Sequence, residues 1–294
     1  MKTRLPLILF AAALAVAVVP AVRALDFGKI TKGLNDASKI IDTGKDAGKV
    51  YKGAVGIGPK EERKIGAAAA LELIGRYGGL VRDPDISRRI NLLGRGLARY
   101  SSRPSLDWCF GVLDSSTVNA FSTPGGFVFI TRGLYEQAAT DDELAGILGH
   151  EIAHITNRNA LKIVQRSEAA SGALSLGKKY SGDVRQASAV VDQVGSMLGY
   201  NILGLVAKLA ESGFDAPTEF TADHDGRDLA ATTGYAPGGL RTVLVDLQAK
   251  GENRKTMFSV HPPLADRIKR LPDDPASPAS AASDGKDQPA GKTQ

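Results

Sequence analysis

His150-Glu151-Ile152-Ala153-His154 is the feature that most limits what this chain can become. Residues four apart share a helix face, so on a helix both imidazoles point at one place and Glu151 lies one step round from them. Leu144, Ile147, Leu148, Ile152 and Ile155 carry an apolar helical pattern through the segment. Thr140, with Glu143 three residues on, supplies a capping box at its start. A face carrying His, Glu and His together among apolar neighbours is costly to bury unless something binds it, and a metal ion removes that cost. A catalytic zinc wants three protein ligands and an open fourth position, so a third ligand is required from elsewhere. Glu219 and Asp223 lie four apart on the next strong helical pattern. One could bind the metal while the other accepts the N–H of a ligating histidine.

The rest of the composition narrows the class. The 294 residues are 43% hydrophobic and 23% charged, ordinary for a globular chain. The single cysteine, Cys109, excludes an internal disulfide and a cysteine-rich zinc module. The formal charge of +5 falls to +2 once Lys2, Arg4 and Arg23 are set aside, which leaves no nucleic-acid footprint. Those three residues belong to a segment, 1–24, that reads as a secretory signal peptide. It has a basic start, an apolar run Leu5–Val19 and small or aliphatic residues at Val22 and Ala24 before a cleavage point. The run is shorter than the ~20 residues of a bilayer span, so an exported chain without a transmembrane span is expected.

Residues 25–58 form a Lys- and Gly-rich lead-in, 59–271 the main domain, and 272–294 a Pro/Ala/Ser tail too polar to order itself. Within the domain, a helical pattern from Glu61 that stops at Gly78-Gly79 and another from Pro84 give way to strand-like stretches at Asp107–Leu113, Asn119-Ala120-Phe121 and Phe127–Thr131, the last two flanking the turn Pro124-Gly125-Gly126. These predict a small antiparallel sheet with an edge strand. Residues 160–212 are mostly helical in pattern and could cover a cleft. Further helices are expected from Thr218 to a stop at Gly234, over Gly239–Lys250 and over Pro262–Leu271. The fold class is α+β and predominantly helical.

Five ordered motifs carry a resemblance: Asn119-Ala120-Phe121 through Gly125-Gly126, Ile130-Thr131-Arg132-Gly133-Leu134, His150–His154, Glu219–Asp223, and Ser259-Val260-His261-Pro262-Pro263. Together the chain resembles the zinc metallopeptidase family that includes HtpX, the CAAX prenyl endopeptidases and the periplasmic BepA-type proteins, in its soluble periplasmic branch. The resemblance implies a zincin-like fold holding one Zn²⁺ per chain. His150, His154 and Glu219 would be ligands, Glu151 the general base, and Asp223 a supporting carboxylate or proton donor. Asn119, Ala120 and Phe121 would bind an extended substrate along an edge strand. His261 would approach the metal. His224, where the family more often has arginine, is read as facing outward. The implied activity is endopeptidase cleavage of unfolded or misassembled envelope proteins, outer-membrane proteins among them, in the periplasm of a Gram-negative bacterium, with an assembly-machinery partner. The alternatives are a self-inhibited, chaperone-like factor that keeps the zinc site, and a zinc hydrolase acting on a non-peptide bond.

Overall fold

A computed structural model describes residues 57–168, 191, 195, 200–211, 213–251 and 262–274. The signal peptide, the lead-in up to residue 56, most of 169–199, His261 and the tail from residue 275 lie outside the described residues.

Helix α1 (Pro59–Arg76) opens with proline, whose missing N–H costs nothing there, and with Glu61 and Glu62 in its first turn. It ends just before Gly78 and Gly79, where the apolar spacing stops in the sequence, and both glycines take positive φ. Helix α2 (Pro84–Tyr100) is capped by Asp83, whose carboxylate accepts from the N–H groups of Asp85 and Ile86 at 2.8 and 3.1 Å. Strands β1 (Cys109–Leu113), β2 (Ala120–Thr123) and β3 (Phe127–Thr131) follow, then the short α3 (Arg132–Gln137). The remaining helices are α4 (Asp141–Thr156), α5 (Asn159–Glu168), α6 (Ile202–Glu211), α7 (Ala216–Thr232), α8 (Gly239–Ala249) and α9 (Leu264–Arg270).

The sheet is mixed, with strand order β1-β3-β2. This corrects the antiparallel expectation: β2 and β3 form the anticipated hairpin, but β1 pairs with β3 in parallel, Cys109 opposite Phe127. The β1–β2 connection carries the chain past β3, so β2 lands on the edge. The hairpin turn depends on Gly125 and Gly126, at φ 76° and 101°, where a side chain would be strained. Period-two alternation sorts the strand residues onto two cores. Phe110, Val112, Ala120, Val128 and Ile130 face α2, α4, α8 and α9, while Cys109, Leu113, Phe121, Phe127 and Phe129 face α1, α5 and α6. Both faces of the sheet are therefore covered by helices, which is why its strands read as nearly continuous apolar runs.

Candidate active site

The site is built on the crossing of α4 and α7. Thr140 Oγ1 accepts from the Glu143 N–H at 3.2 Å, and the Glu143 carboxylate reaches back to the Ala139 N–H at 2.7 Å, one residue beyond the usual capping-box partner. From that fixed start α4 runs buried along nearly its whole length. Asp215 caps α7 by accepting from the Thr218 N–H at 3.0 Å. The two helices meet backbone to backbone. A Cβ on Gly226 would lie 2.4 Å from the His150 nitrogen, and one on Gly149 would lie 2.5 Å from the Gly226 carbonyl oxygen.

That close approach delivers three ligand-type side chains to one point. His150 Nε2 and His154 Nε2 are 3.1 Å apart, His150 Nε2 is 3.4 Å from Glu219 Oε2, and His154 Nε2 is 3.7 Å from Glu219 Oε1. Ligands set tetrahedrally about 2.0–2.1 Å from a zinc-sized ion stand about 3.3–3.4 Å from one another, so the spacing fits. Charge fits as well. Glu151, Glu219 and Asp223 are buried, and among the described residues Arg267 is the one buried cation beside them, three carboxylates against one guanidinium. With the histidines neutral, as metal ligation requires, the formal excess of two negative charges is what a divalent cation neutralises; without a metal, a proton on His150 offsets part of it.

The surrounding groups orient the donors. Asp223 Oδ1 lies 2.9 Å from His150 Nδ1, which turns Nε2 toward the common point. Arg267, fully buried, donates from Nε to Asp223 Oδ2 at 2.8 Å and from a terminal nitrogen to Oδ1. Burial alone would depress the His150 imidazole, but its hydrogen bonds to Asp223 and Glu219 outweigh that and raise its pKa to about 9. Burial would raise Asp223, yet the Arg267 guanidinium and His150 hold it well below the usual carboxylate range. The side-chain amide of Asn159 lies 3.0 Å from His154 Nδ1, and the Phe214 ring stacks on the His154 ring at 4.4 Å.

The structure thus brings together five residues singled out in the sequence: His150, Glu151, His154, Glu219 and Asp223. His224 points outward, 3.3 Å from Asp228, as anticipated. His261 falls outside the described residues. Arg267, Asn159 and Phe214 went unnoticed in the sequence. A signal for Arg267 was present, because Leu264, Arg267, Ile268 and Leu271 share one face of a short helix, and an arginine on an apolar face needs a buried anion.

Asn119, Ala120 and Phe121 lie at the start of β2, which packs directly beside α4. Asn119 O accepts from Thr131 N at 2.9 Å, so residues 119, 121 and 123 bond to β3, and Ala120 and Ser122 turn their backbone groups away from it, to the edge that no strand pairs among the described residues, where both are buried. Asn119 Oδ1 caps the Ala120 N–H at 2.7 Å, and Phe121 packs on Tyr77 with ring centroids 4.7 Å apart.

A buried His-His-Glu cluster on two crossing helices, flanked by a mixed sheet whose edge strand borders the active-site helix, defines a zincin-like metallopeptidase. The profile of Peptidase family M48 matches residues 84–274, and the chain belongs to that family of metallopeptidases. It is similar to the beta-barrel assembly-enhancing protease of Escherichia coli K12, at 25% identity over 252 residues, covering 84% of this chain and 49% of the relative. Metalloprotease LoiP of the same organism is 25% identical over 240 residues, 81% of this chain and 88% of LoiP. A protease HtpX homolog of Bacillus velezensis is 28% identical over 189 residues, 55% of this chain and 62% of the relative. The chain spans about half the length of the beta-barrel assembly-enhancing proteases it matches. Among the described residues no helix is long and apolar enough to cross a membrane.

Proposed function

We propose that the chain is an exported, zinc-dependent endopeptidase that cleaves unfolded or misassembled envelope polypeptides. The observation that carries the reading is the spacing of His150, His154 and Glu219 beside Glu151, with Asp223 behind His150. Zinc held there would lower the pKa of an attacking water toward about 7 and polarise the scissile carbonyl. Glu151, buried on the same helix, takes the proton of that water and returns it to the leaving amine. Asp223, held ionised by Arg267, keeps His150 in the tautomer that faces the metal. The edge of β2 at Ala120 and Ser122, buried in this structure, would offer main-chain pairing to an extended peptide once uncovered, which gives binding with little sequence selectivity. Such selectivity suits protein quality control, and the similarity to beta-barrel assembly-enhancing proteases points to outer-membrane proteins and a periplasmic setting. His261 is proposed to approach the same metal.

A second reading, a self-inhibited assembly factor that rarely cuts, is favoured by one observation. His150, Glu151, His154 and Glu219 are at most 4% exposed, so a polypeptide reaches them only when the chain opens.

The test is digestion of an unfolded protein such as casein by zinc-loaded protein, beside Glu151→Gln prepared identically. Cleavage by the wild type alone supports the endopeptidase and its base. Equal cleavage by both would show that Glu151 is not the base. Cleavage by neither, with zinc bound in both, favours the self-inhibited factor.

A further inference from the structure

Two torsions at the metal site are left open by the covalent chain. The last rotatable bond of a histidine joins an sp³ carbon to an sp² one, as does that of a glutamate, and such bonds have a broad, two-fold preference. Rotation of the His154 imidazole or of the Glu219 carboxylate carries its donor atom off the point that His150, His154 and Glu219 share. Packing and hydrogen bonds must therefore fix both planes. One residue outside α4 and α7 touches both side chains. The Phe214 ring lies on the His154 ring, with centroids 4.4 Å apart and planes 28° from parallel. The backbone N–H of the same residue donates to Glu219 Oε1 at 3.3 Å.

Phe214 is itself held from both sides. Gly213, at φ 58°, closes the end of α6 by donating its N–H to the Lys208 carbonyl at 3.1 Å. Asp215 opens α7: its carboxylate accepts from the Thr218 N–H and its carbonyl from the Glu219 N–H, each at 3.0 Å. The single residue between these two caps packs against the apolar core shared by α1, α5 and α6. A ring stacked on the face of an imidazole leaves both nitrogens clear, because their lone pairs and hydrogens lie in the imidazole plane. The Asn159 amide, 3.0 Å from Nδ1, meets the edge of the same imidazole. With face and edge both held, His154 Nε2 stays directed toward Glu219 Oε1, 3.7 Å away.

We propose that Phe214 is a positioning residue for the metal site: its ring sets the plane of His154 and its N–H the plane of Glu219, so that one residue aims two of the three donors. The proposal rests on the metal-binding reading above and adds a determinant of affinity that lies outside the ligand set. The two contacts are linked, because the seat of the ring against the core fixes where the N–H stands. Leucine at this position keeps the N–H and most of the apolar bulk but has no flat face, so the imidazole gains freedom to turn. Tyrosine keeps the face. Without the ring, metal binding has to supply the ordering that Phe214 provides in advance.

The experiment measures zinc binding to the whole chain by competition with a chromophoric chelator, which needs no turnover. Phe214→Leu should raise the zinc dissociation constant by about tenfold, the lower end of what losing a group that orients a ligand costs. Phe214→Tyr should stay close to wild type. The visible absorption of bound Co²⁺ at saturation should change in Phe214→Leu, because it reads the arrangement of the donors and not the stability of the fold. Phe129→Leu is the control, since it removes a fully buried ring of the central strand from the same apolar core. Its melting temperature should fall while zinc affinity and the Co²⁺ spectrum hold. Should Phe214→Leu fail to fold, Phe214→Met, unbranched and of similar bulk, takes its place. Zinc affinity and a Co²⁺ spectrum unchanged from wild type in the Phe214 variant overturn the positioning role and leave the metal site standing. An equal loss of affinity in Phe129→Leu also overturns it, since any damage to the core would then suffice. A wild type that takes up neither metal overturns the site itself, and the role of Phe214 with it.

Discussion

Arg267 and Asp223 form a buried ion pair whose members cannot be removed singly without cost. Arg267→Met leaves the Asp223 carboxylate buried beside His150 with its cation gone. Unfolding in urea should show a loss of about 3–5 kcal/mol, the usual penalty for breaking such a pair from one side. The double variant Arg267→Met/Asp223→Asn should lose less than the two single losses combined, because the stranded charge is gone. Equal additive losses would mean that the pair is not coupled. His224→Ala is the opposite case. Its side chain faces solvent near Asp228, so stability should stay within about 0.5 kcal/mol of wild type. The sequence separates these two cases only in part. His150, Glu151 and His154 are legible because helical spacing alone puts them on one face. Glu219 and Asp223 are legible once a third ligand is demanded. Asn159 and Phe214 are not, since each reaches His154 from outside α4 and only the fold brings them there.

At the scale of elements, the site depends on how closely α4 and α7 approach. Gly226→Ala places a methyl group 2.4 Å from the backbone nitrogen of His150, and the contact is relieved only if the helices part. Overpacking of this kind costs about 1–3 kcal/mol. Parting the helices also moves Glu219 and Asp223 away from the two histidines, so zinc affinity, measured by competition with a chromophoric chelator, should fall by about tenfold or more. Unchanged affinity would show that α7 is not positioned by this contact. Glycine carries no periodic signal of its own, so this contact is invisible in the sequence, whereas the Thr140–Glu143 start of α4 and the Pro124-Gly125-Gly126 turn are visible there. The sheet shows the same limit. Hairpin turn residues announce that β2 and β3 are antiparallel, but nothing local in β1 says that it will cross to the far side of β3 and pair in parallel.

At the scale of the whole molecule, a metal at this site ties together parts of the chain that are far apart in sequence. His150 and His154 come from α4 and Glu219 from α7, while Asp223 extends the link through Arg267 to α9. Removing a bound metal should therefore loosen the α4–α7–α9 assembly and leave part of its excess negative charge uncompensated. Ligand linkage makes the size of the effect calculable. With free zinc at a thousandfold its dissociation constant the folded state gains about 4 kcal/mol. For a domain of this size each kcal/mol moves the melting temperature by roughly 2–4 °C, so chelation should lower it by on the order of 10 °C and re-added zinc should restore it. Glu219→Gln should melt with a much reduced response to zinc, since a ligand is lost. Glu151→Gln should keep the full response, since the proposed base does not hold the ion. A melting curve that ignores both chelator and zinc would mean that the buried cluster does not bind the metal. A response lost equally in Glu151→Gln and Glu219→Gln would make Glu151 a ligand and displace it from the role of base.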